Sequence, residues 1–353
     1  MRIGLIAPPW VPVPPVRYGG TEQVVDDLAR GLTRLGHDVR LFTVGESTCR
    51  VSRDWYFEKA VDAIGTTVAE SAHALSAYQA LADVDVIHDH TILGPLVAGR
   101  LPDLPPVVTT NHGPFTADAR VIFQQTARTA AVVAISQSQR ASAPEVSVAA
   151  VILHGIDLDA HAYGDGDGDY LLFVGRMSPD KGVHRAIRVA RRAGRRLVVI
   201  SKMREPEECR YYEQVVRPLL GDDVELLEGP SAPDRIAMLR AATAVLNPIC
   251  WPEPFGLVMA ESLACGTPVL AFPNGAAPEI VDDGTTGYLC ADESDMVSAL
   301  SRVGSIDRRA CRAAAEQRFG MMRMATDHER LYERLVGHGS STPGSRRLMI
   351  ATG

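Results

Sequence analysis

The chain has 353 residues, more than one hydrophobic core usually holds, so its length favours two domains. Its composition, 46% hydrophobic and 22% charged, is that of a globular protein. A formal net charge of -7 leaves no surplus of basic residues, so we expect no nucleic-acid partner.

Export and membrane signals are weak. The apolar run at the N-terminus, RIGLIA, is too short for a signal peptide, and no later run reaches about 18 apolar residues. The six cysteines follow no CxxC spacing, which argues against a zinc site and a disulfide framework. We therefore expect a cytoplasmic protein, and contact with a membrane surface stays open.

The first half of the chain alternates strand and helix patterns. RIGLIA is followed by GTEQVVDDLARGLTRLG, whose apolar residues recur at helical spacing, and a second helical stretch covers 67–81. The further strand candidates are DVRLFTV, DVIHDH, PPVVTTN, AVVAIS and SVAAVIL. This alternation predicts a parallel sheet with helices on both faces.

A Gly- and Asp-rich stretch, GIDLDAHAYGDGDGD, interrupts the pattern and predicts a domain boundary. A second alternating series then runs through YLLFVGR, RRLVVIS, DVELLEG, TAVLNPI, GTPVLAF and TGYLCA. We predict an α/β protein of two Rossmann-like, doubly wound domains facing across a cleft. The ranges are 1–155 for the first domain, 156–169 for a linker, 170–320 for the second domain, 321–337 for a final helix and 338–353 for a disordered tail.

Two glutamates stand in the segment WPEPFGLVMAESLACGTPV. The flanking prolines and the Gly-Thr-Pro stop predict a helix over 256–265, with Glu253 just before it and Glu261 on its apolar stripe. A carboxylate on such a stripe must be paired or line a polar cleft. An ion pair with an arginine is the alternative interpretation. The free N–H groups at the start of this helix favour a phosphate ligand.

The segment FVGRMSPDKG supplies two cations. We expect a strand to end at Val174, so that Arg176 and Lys181 lie in the loop at the carboxyl end of a parallel strand. Ligands bind at that edge of open α/β sheets, and the two charges suit a diphosphate. A solvated loop is the plainer interpretation.

Two segments of the first half also follow strands. Gly19 and Gly20 precede a helix and would let the backbone approach a phosphate, although they do not form a dinucleotide fingerprint. His112, in TTNHGPF, could bond a substrate hydroxyl or act as an acid or base. IHDHT lacks a third metal ligand at a recognisable spacing, so we interpret it as structural or as part of an acceptor site.

The helix HRAIRVARRAGRR carries a basic face formed by Arg185, Arg188, Arg192 and Arg195. Such a face could touch anionic lipid, which would make the protein a peripheral membrane binder. A solvated surface is the more ordinary interpretation.

Taken together, the Glu253 and Glu261 segment and FVGRMSPDKG resemble the retaining, nucleotide-sugar-dependent glycosyltransferases of family 4, also known as glycosyl transferases group 1, which have the GT-B fold. The resemblance extends from YGGTEQVVDDLARGLTRLGHDV to GAAPEIVDDGTTGYL. The E-x7-E segment is the most specific single part of this resemblance. The resemblance as a whole is stronger than any one motif, because the pieces stand in family order in both halves of the chain.

The resemblance implies roles for these residues. Arg176 and Lys181 would hold the donor diphosphate, Glu261 would accept hydrogen bonds from the ribose, and Glu253 would lie beside the donor sugar, which His112 also approaches. The further donor-binding residues would be Gly19, Gly20, Phe255, Gly256, Leu257 and Asn274. The reaction would need no metal and no cofactor apart from the UDP- or GDP-sugar as co-substrate. The helix over 321–337 would cross back to the first domain.

Two departures from the family pattern stand near these positions. His154 and Gly155 occupy the place of a common Asn-Gly pair, and NGAAPEI replaces a common Gly-Gly before Pro-Glu. The second departure would put Asn274 near the donor and alter sugar selectivity.

We therefore expect a hexosyltransferase whose partners are a nucleotide sugar and an acceptor glycan, lipid or small molecule. The alternatives are a sugar-nucleotide epimerase, a glycan phosphorylase, or a non-catalytic sugar-nucleotide-binding subunit. The loops over 8–18 and 50–59 are expected to shape the acceptor site. The sugar, the nucleotide, the acceptor, the linkage and the oligomeric state stay open.

Overall fold

Two parallel sheets organise the molecule. The computed structural model describes residues 1–16, 19–62 and 64–339, and the statements below concern those residues. The first sheet has the strand order β3-β2-β1-β4-β5-β6-β7. Its strands are β1 (Arg2–Ile6), β2 (Asp38–Thr43), β3 (Ser52–Trp55), β4 (Val86–Asp89), β5 (Val107–Thr110), β6 (Ala131–Ala134) and β7 (Val148–Val151).

The second sheet has the strand order β10-β9-β8-β11-β12-β13. Its strands are β8 (Leu171–Arg176), β9 (Leu197–Lys202), β10 (Val224–Glu228), β11 (Ala244–Asn247), β12 (Val269–Ala271) and β13 (Gly287–Leu289). Each described pairing in both sheets is parallel, which confirms the predicted class of two Rossmann-like domains.

Helices cover the sheets. Those that accompany the first sheet are α1 (Gly20–Arg34), α2 (Thr67–Ala80), α3 (Gly94–Ala98), α4 (Ala117–Thr126) and α5 (Gln137–Ala141). Those of the second half are α6 (Val183–Arg192), α7 (Pro206–Tyr211), α8 (Ala232–Ala241), α9 (Leu257–Ala264), α10 (Ala277–Ile280), α11 (Glu293–Leu300) and α12 (Arg308–Arg318), and α13 (Met321–Gly339) follows. We call β1–β7 with α1–α5 the N-terminal lobe, and β8–β13 with α6–α12 the C-terminal lobe.

Buried apolar residues explain why these segments fold as they do. In α1 the periodic residues Val24, Val25, Leu28 and Leu32 are all buried, and they pack on β1 residues Ile3 and Leu5 in one cluster. The C-terminal lobe has a cluster on each face of its sheet, one of which includes most of α9. Burial of such stripes supplies most of the stability of helices this short.

The last helix of the described chain packs on the first one. Helix α13 packs on α1, and Met324, Ala325, Leu331 and Tyr332 lie in the same cluster as the α1 residues. The helices approach so closely that a Cβ added at Gly31 would lie 2.7 Å from the Cβ of Ala325. The chain therefore crosses between the lobes twice, once between β7 and β8 and once where α12 is followed by α13.

The two crossing segments are tied side by side. The N–H of Ile156 donates to the carbonyl of Phe319 at 2.8 Å, and the N–H of Met321 donates to the carbonyl of Ile156 at 2.9 Å. Leu257, at the start of α9, packs against buried clusters of both lobes. These contacts join the two lobes, and Leu257 makes its contact beside the cleft that it lines.

Several predicted boundaries differ from the structure. Strand β8 continues to Arg176 rather than ending at Val174, so Arg176 is the last residue of the strand and not part of the loop. Strand β3 lies within 50–59, which we had expected to be a loop. Helix α13 continues to Gly339, and the rest of the predicted tail lies outside the described residues.

The arginines of the predicted basic face, in α6 and just after it, contact neighbouring groups of the protein. Arg188 lies 3.7 Å from Glu293, Arg192 donates to Ser294 at 3.1 Å and Arg195 donates to Asp169 at 3.0 Å. Arg185 donates to the carbonyl of Pro179 at 3.1 Å. These contacts support the interpretation of this face as an ordinary protein surface. Within the described chain, no helix combines the length and the apolar character that a membrane span requires.

Candidate active site

A cleft of about 300 Å³ opens between the lobes, at the carboxyl ends of the strands. Nine of the eleven predicted site residues line it. They are Gly19, Gly20, His112, Lys181, Glu253, Phe255, Gly256, Leu257 and Glu261. The fold therefore brings together residues that are more than two hundred positions apart in the chain.

The start of α9 faces this cleft. Gly256 caps the helix with a φ of 92°, in the left-handed region that favours glycine. The next two residues, Leu257 and Val258, line the cleft, and their N–H groups belong to the first turn of the helix, where they have no partner within it. Gly20 begins α1 on the opposite wall, and a Cβ added there would lie 3.4 Å from Leu257. Two helix N-termini thus meet across the cleft.

Lys181 and Glu253 form an ion pair. Lys181 follows β8 and Glu253 follows β11, which are neighbours in the sheet. Both side chains are largely buried, with 13% and 14% exposed. The ammonium group also lies 5.4 Å from the ring centre of Trp251, within range of a cation–π contact. The pair places a cation and a carboxylate side by side in the cleft.

Glu261 is both paired and part of the cleft wall. One carboxylate oxygen accepts a hydrogen bond from Arg235, and the other lies 3.9 Å from Nε2 of His161. The ion pair that the sequence suggested as an alternative is therefore present, together with the predicted position at the cleft. Burial by itself would raise the pKa of Glu261, but Arg235 and His161 outweigh it and lower the pKa below its usual value.

Arg176 and Asn274, the other two predicted residues, are not among the described residues that line the cleft. The Arg176 guanidinium lies 3.5 Å from Asp180 and 3.9 Å from Glu208, and the side chain is 39% exposed. The Asn274 amide donates to the carbonyl of Ile249 at 2.9 Å. Asn274 therefore holds a loop whose residue Ile249 lines the cleft.

A buried carboxyl group lies next to Gly19. Glu22 is 6% exposed, and a Cβ added at Gly19 would lie 2.7 Å from its Oε2 atom. Burial raises the pKa of Glu22 to about 7. The carboxyl group next to Gly19 therefore changes its charge near neutral pH.

Histidines line the N-terminal wall and continue into the lobe. His112 and His154 stack with ring centres 5.1 Å apart, and the His154 ring meets the edge of Phe255 at the same distance. His112 also bonds His90 behind it, with 2.8 Å between Nε2 and Nδ1. Burial lowers the pKa of His112 to about 3 and that of His90 well below its usual value. These rings are neutral at physiological pH.

Three charged or aromatic groups of the cleft were absent from the predicted site. Lys202 ends β9 as Arg176 ends β8, and the same edge-of-sheet rule could have found it. Burial lowers the pKa of Lys202. Arg235 comes from α8 and carries no local signal, because only the packing of α8 against α9 brings it to Glu261. His154 was noted only as a departure from the family pattern.

The histidines do not gather as metal ligands. Over the described ranges, no group of three or more His, Cys, Asp or Glu side chains has the arrangement that could hold a metal ion. In the IHDHT segment, His88 lies between the Tyr332 hydroxyl at 2.6 Å and the Thr110 hydroxyl at 2.8 Å. Asp89 accepts from the Tyr78 hydroxyl at 2.6 Å. His88 and Asp89 of this segment are therefore structural.

Comparison with known proteins matches both halves of the chain. Residues 162–317 match the family described as Glycosyl transferases group 1, and residues 18–160 match Glycosyltransferase Family 4. Over 155 residues the sequence is 38% identical to a D-inositol 3-phosphate glycosyltransferase of Acidothermus cellulolyticus. That match covers 40% of this chain and 34% of the relative, so the chain spans about a third of the relative's length.

Solved structures agree in fold over nearly the whole chain. AviGT4, a glycosyltransferase involved in avilamycin A biosynthesis, is 27% identical with a TM-score of 0.71, covering 96% of this chain and 98% of that one. Sucrose-phosphate synthase from Thermosynechococcus elongatus is 21% identical with a TM-score of 0.80, covering 96% of this chain and 100% of that one. The second likeness concerns the fold alone.

Proposed function

The chain belongs to the glycosyl transferases group 1 and has their GT-B fold, and from that premise we propose that it is a retaining hexosyltransferase. It would move a hexose-type sugar from a UDP- or GDP-sugar to an acceptor hydroxyl without a metal. One observation carries this proposal: Lys181 and Lys202 line the same cleft as the N-termini of the two helices α1 and α9.

Those groups match the charge that develops during transfer. Lys181, Lys202 and the free N–H groups at the start of α9 line one cleft. A departing nucleoside diphosphate gains negative charge, and fixed positive groups in a site shielded from water stabilise it. This supports a donor diphosphate at the start of α9, with the protein supplying the charge that a metal supplies elsewhere.

The reaction needs few other groups. The acceptor oxygen attacks the anomeric carbon on the face from which the diphosphate departs. The bond between the anomeric carbon and the diphosphate oxygen breaks as the new glycosidic bond forms. The proton of the acceptor hydroxyl passes to the leaving phosphate oxygen. No protein base is required in this scheme. His112 would bind the sugar, and Glu253 would lie beside it.

Lys181 and Glu261, which would bind the donor, each already belong to an ion pair. Glu253 neutralises Lys181, and Arg235 neutralises Glu261. A bound donor would offer its phosphates to Lys181 and its ribose hydroxyls to Glu261. The ammonium group would then be shared between Glu253 and the diphosphate, which keeps each buried charge partnered throughout.

Turnover with a panel of donors tests the proposal. UDP- and GDP-hexoses would be assayed for nucleotide release with and without EDTA, and the product examined by NMR for its anomeric configuration. The acceptor panel would include D-inositol 3-phosphate, the compound in the name of the Acidothermus cellulolyticus relative, beside glycans and lipids. We expect release that EDTA does not abolish and a product that retains the donor configuration.

Other products would point elsewhere. An inverted product or strict dependence on a divalent metal would refute the mechanism. An epimerised nucleotide sugar would favour the epimerase alternative, and cleavage of a glycan by phosphate would favour the phosphorylase. Tight donor binding without any turnover would favour a non-catalytic binding subunit.

A further inference from the structure

His90 lies behind the cleft and contacts a residue that lines it. The strands β4 and β5 are neighbours, with Asp89 opposite Thr109, so the residues after their carboxyl ends lie together. His90 is 5% exposed, and its Nδ1 atom lies 2.8 Å from Nε2 of His112. Of the two, only His112 lines the cleft.

The outer nitrogen of each ring has no partner in the described part of the chain. Nε2 of His90 and Nδ1 of His112 are both buried without a hydrogen bond. Because burial keeps both rings neutral, the four nitrogens share two protons, and one of these lies between the rings. The other proton has two possible positions.

In one arrangement His112 donates to His90, and the second proton sits on Nε2 of His90. That N–H would be buried with no acceptor among the described residues, a condition that proteins rarely tolerate. In the other arrangement His90 donates from Nδ1, and the second proton sits on Nδ1 of His112. This N–H is buried as well, but it belongs to a residue that lines the cleft, so a sugar bound there is a candidate acceptor for it.

We propose that His90 is a positioning residue: its Nδ1–H fixes His112 as the tautomer whose Nδ1–H donates to an oxygen of the sugar substrate. The hydrogen bond made by one ring nitrogen decides which proton the other nitrogen presents. This deepens the proposed transferase function and rests on it as far as the sugar is concerned. The tautomer itself is a property of the protein alone.

The first test needs no substrate. Protein labelled with ¹⁵N-histidine would be studied by long-range ¹H–¹⁵N NMR, with His112→Gln identifying the His112 signals. We expect the His112 proton on Nδ1 and an unprotonated Nε2. A proton on Nε2 would overturn the proposal even if the protein proved to be an active transferase. Absence of transferase activity, in turn, would leave this result decisive for the tautomer.

The second test uses three variants whose folding is checked by thermal unfolding. His90→Ala removes the donor, so we expect mixed His112 tautomers and a rise in KM for the sugar donor of about tenfold, with a smaller change in kcat. His90→Asn can place an amide N–H near the same position and should restore most of the affinity. Tyr332→Phe, which removes the hydroxyl next to His88, perturbs the same cluster without touching His112.

The pattern across these variants decides the matter. The proposal requires the KM effect to follow the His112 tautomer and to be absent in Tyr332→Phe. If His90→Ala leaves tautomer and KM unchanged, or if Tyr332→Phe raises KM equally, His90 has only a structural role.

Discussion

Lys181 and Glu253 form an ion pair in the cleft, although each follows a different strand of the C-terminal sheet. Both were expected to contact the donor, one at its diphosphate and one at its sugar. Their contact means that a ligand enters a site whose opposite charges already hold each other. The energetic effect of each residue must therefore be measured with its partner in mind.

Replacing Lys181 tests the role of the cleft cation. We expect Lys181→Ala to lower kcat by at least about 100-fold, because it removes a fixed positive charge that faces the leaving diphosphate. Far-UV circular dichroism should remain unchanged. Arg196→Ala is the matched control, since it breaks an exposed ion pair with Glu225 that lies outside the described lining of the cleft. Wild-type turnover in Lys181→Ala would reject the assignment.

The pair of Arg235 and Glu261 should couple stability to donor binding. Arg235→Ala leaves a buried carboxylate without its main partner, so we expect a loss of about 3 kcal/mol in unfolding free energy. Glu261→Gln should cost less stability but raise the donor KM about tenfold, because a charged acceptor for the ribose is lost. In the double variant part of the stability should return. Urea unfolding and donor kinetics would be measured for the two single variants and the double variant. If the two losses of unfolding free energy simply add in the double variant, the contact between Arg235 and Glu261 is unimportant.

The buried histidines should make the protein sensitive to acid. Their folded-state pKa values are lowered, to about 3 in His112 and about 4 in His328, so the unfolded chain binds more protons below pH 6.5. The unfolding free energy should then fall as pH decreases from about 6.5 towards 4. His328→Gln removes one such group away from the cleft and should make this dependence shallower by about one proton. An equal slope in both proteins would contradict the burial effect.

Glu22 should give donor binding its own pH dependence. Its pKa of about 7 means that the carboxyl group beside Gly19 is mostly neutral at pH 6 and mostly ionised at pH 8. The ionised form would repel the donor diphosphate, so we expect donor KM to rise about fivefold over this interval. Glu22→Gln stays neutral and should keep the low KM at both values. A matching rise in the variant would assign the pH dependence to another group.

The sequence predicted the regular parts of the fold because they follow repeating patterns. The twelve strands whose apolar runs were recognised are present, with ends displaced by at most two residues except at β12, which begins three residues later than GTPVLAF. Strand β3 was missed because Ser52–Trp55 has no apolar run. It lies at the edge of the sheet, where pairing with β2 rather than burial of both faces holds it in place.

The site was predictable where local signals exist. Lys181 and Glu253 stand in short motifs that follow strands, Glu261 stands in the helix that continues the second motif, and all three line the cleft. Arg235 could not be found in this way, because its contact with Glu261 depends on how two helices pack. The pairing of His90 with His112 likewise depends on the order of strands in the sheet, which alternation of patterns does not reveal.

The packing of α13 on α1 has a consequence for how the protein is made. The ribosome releases α1 early, but the helix that covers it is synthesised only after the whole C-terminal lobe. Until then the apolar surface of α1 that receives Ala325 and Leu331 faces water. Domains usually fold in the order of their synthesis, but here the N-terminal lobe cannot complete its apolar cluster until α13 has been synthesised. Nascent chains that stall before α13 should therefore be the ones that chaperones retain.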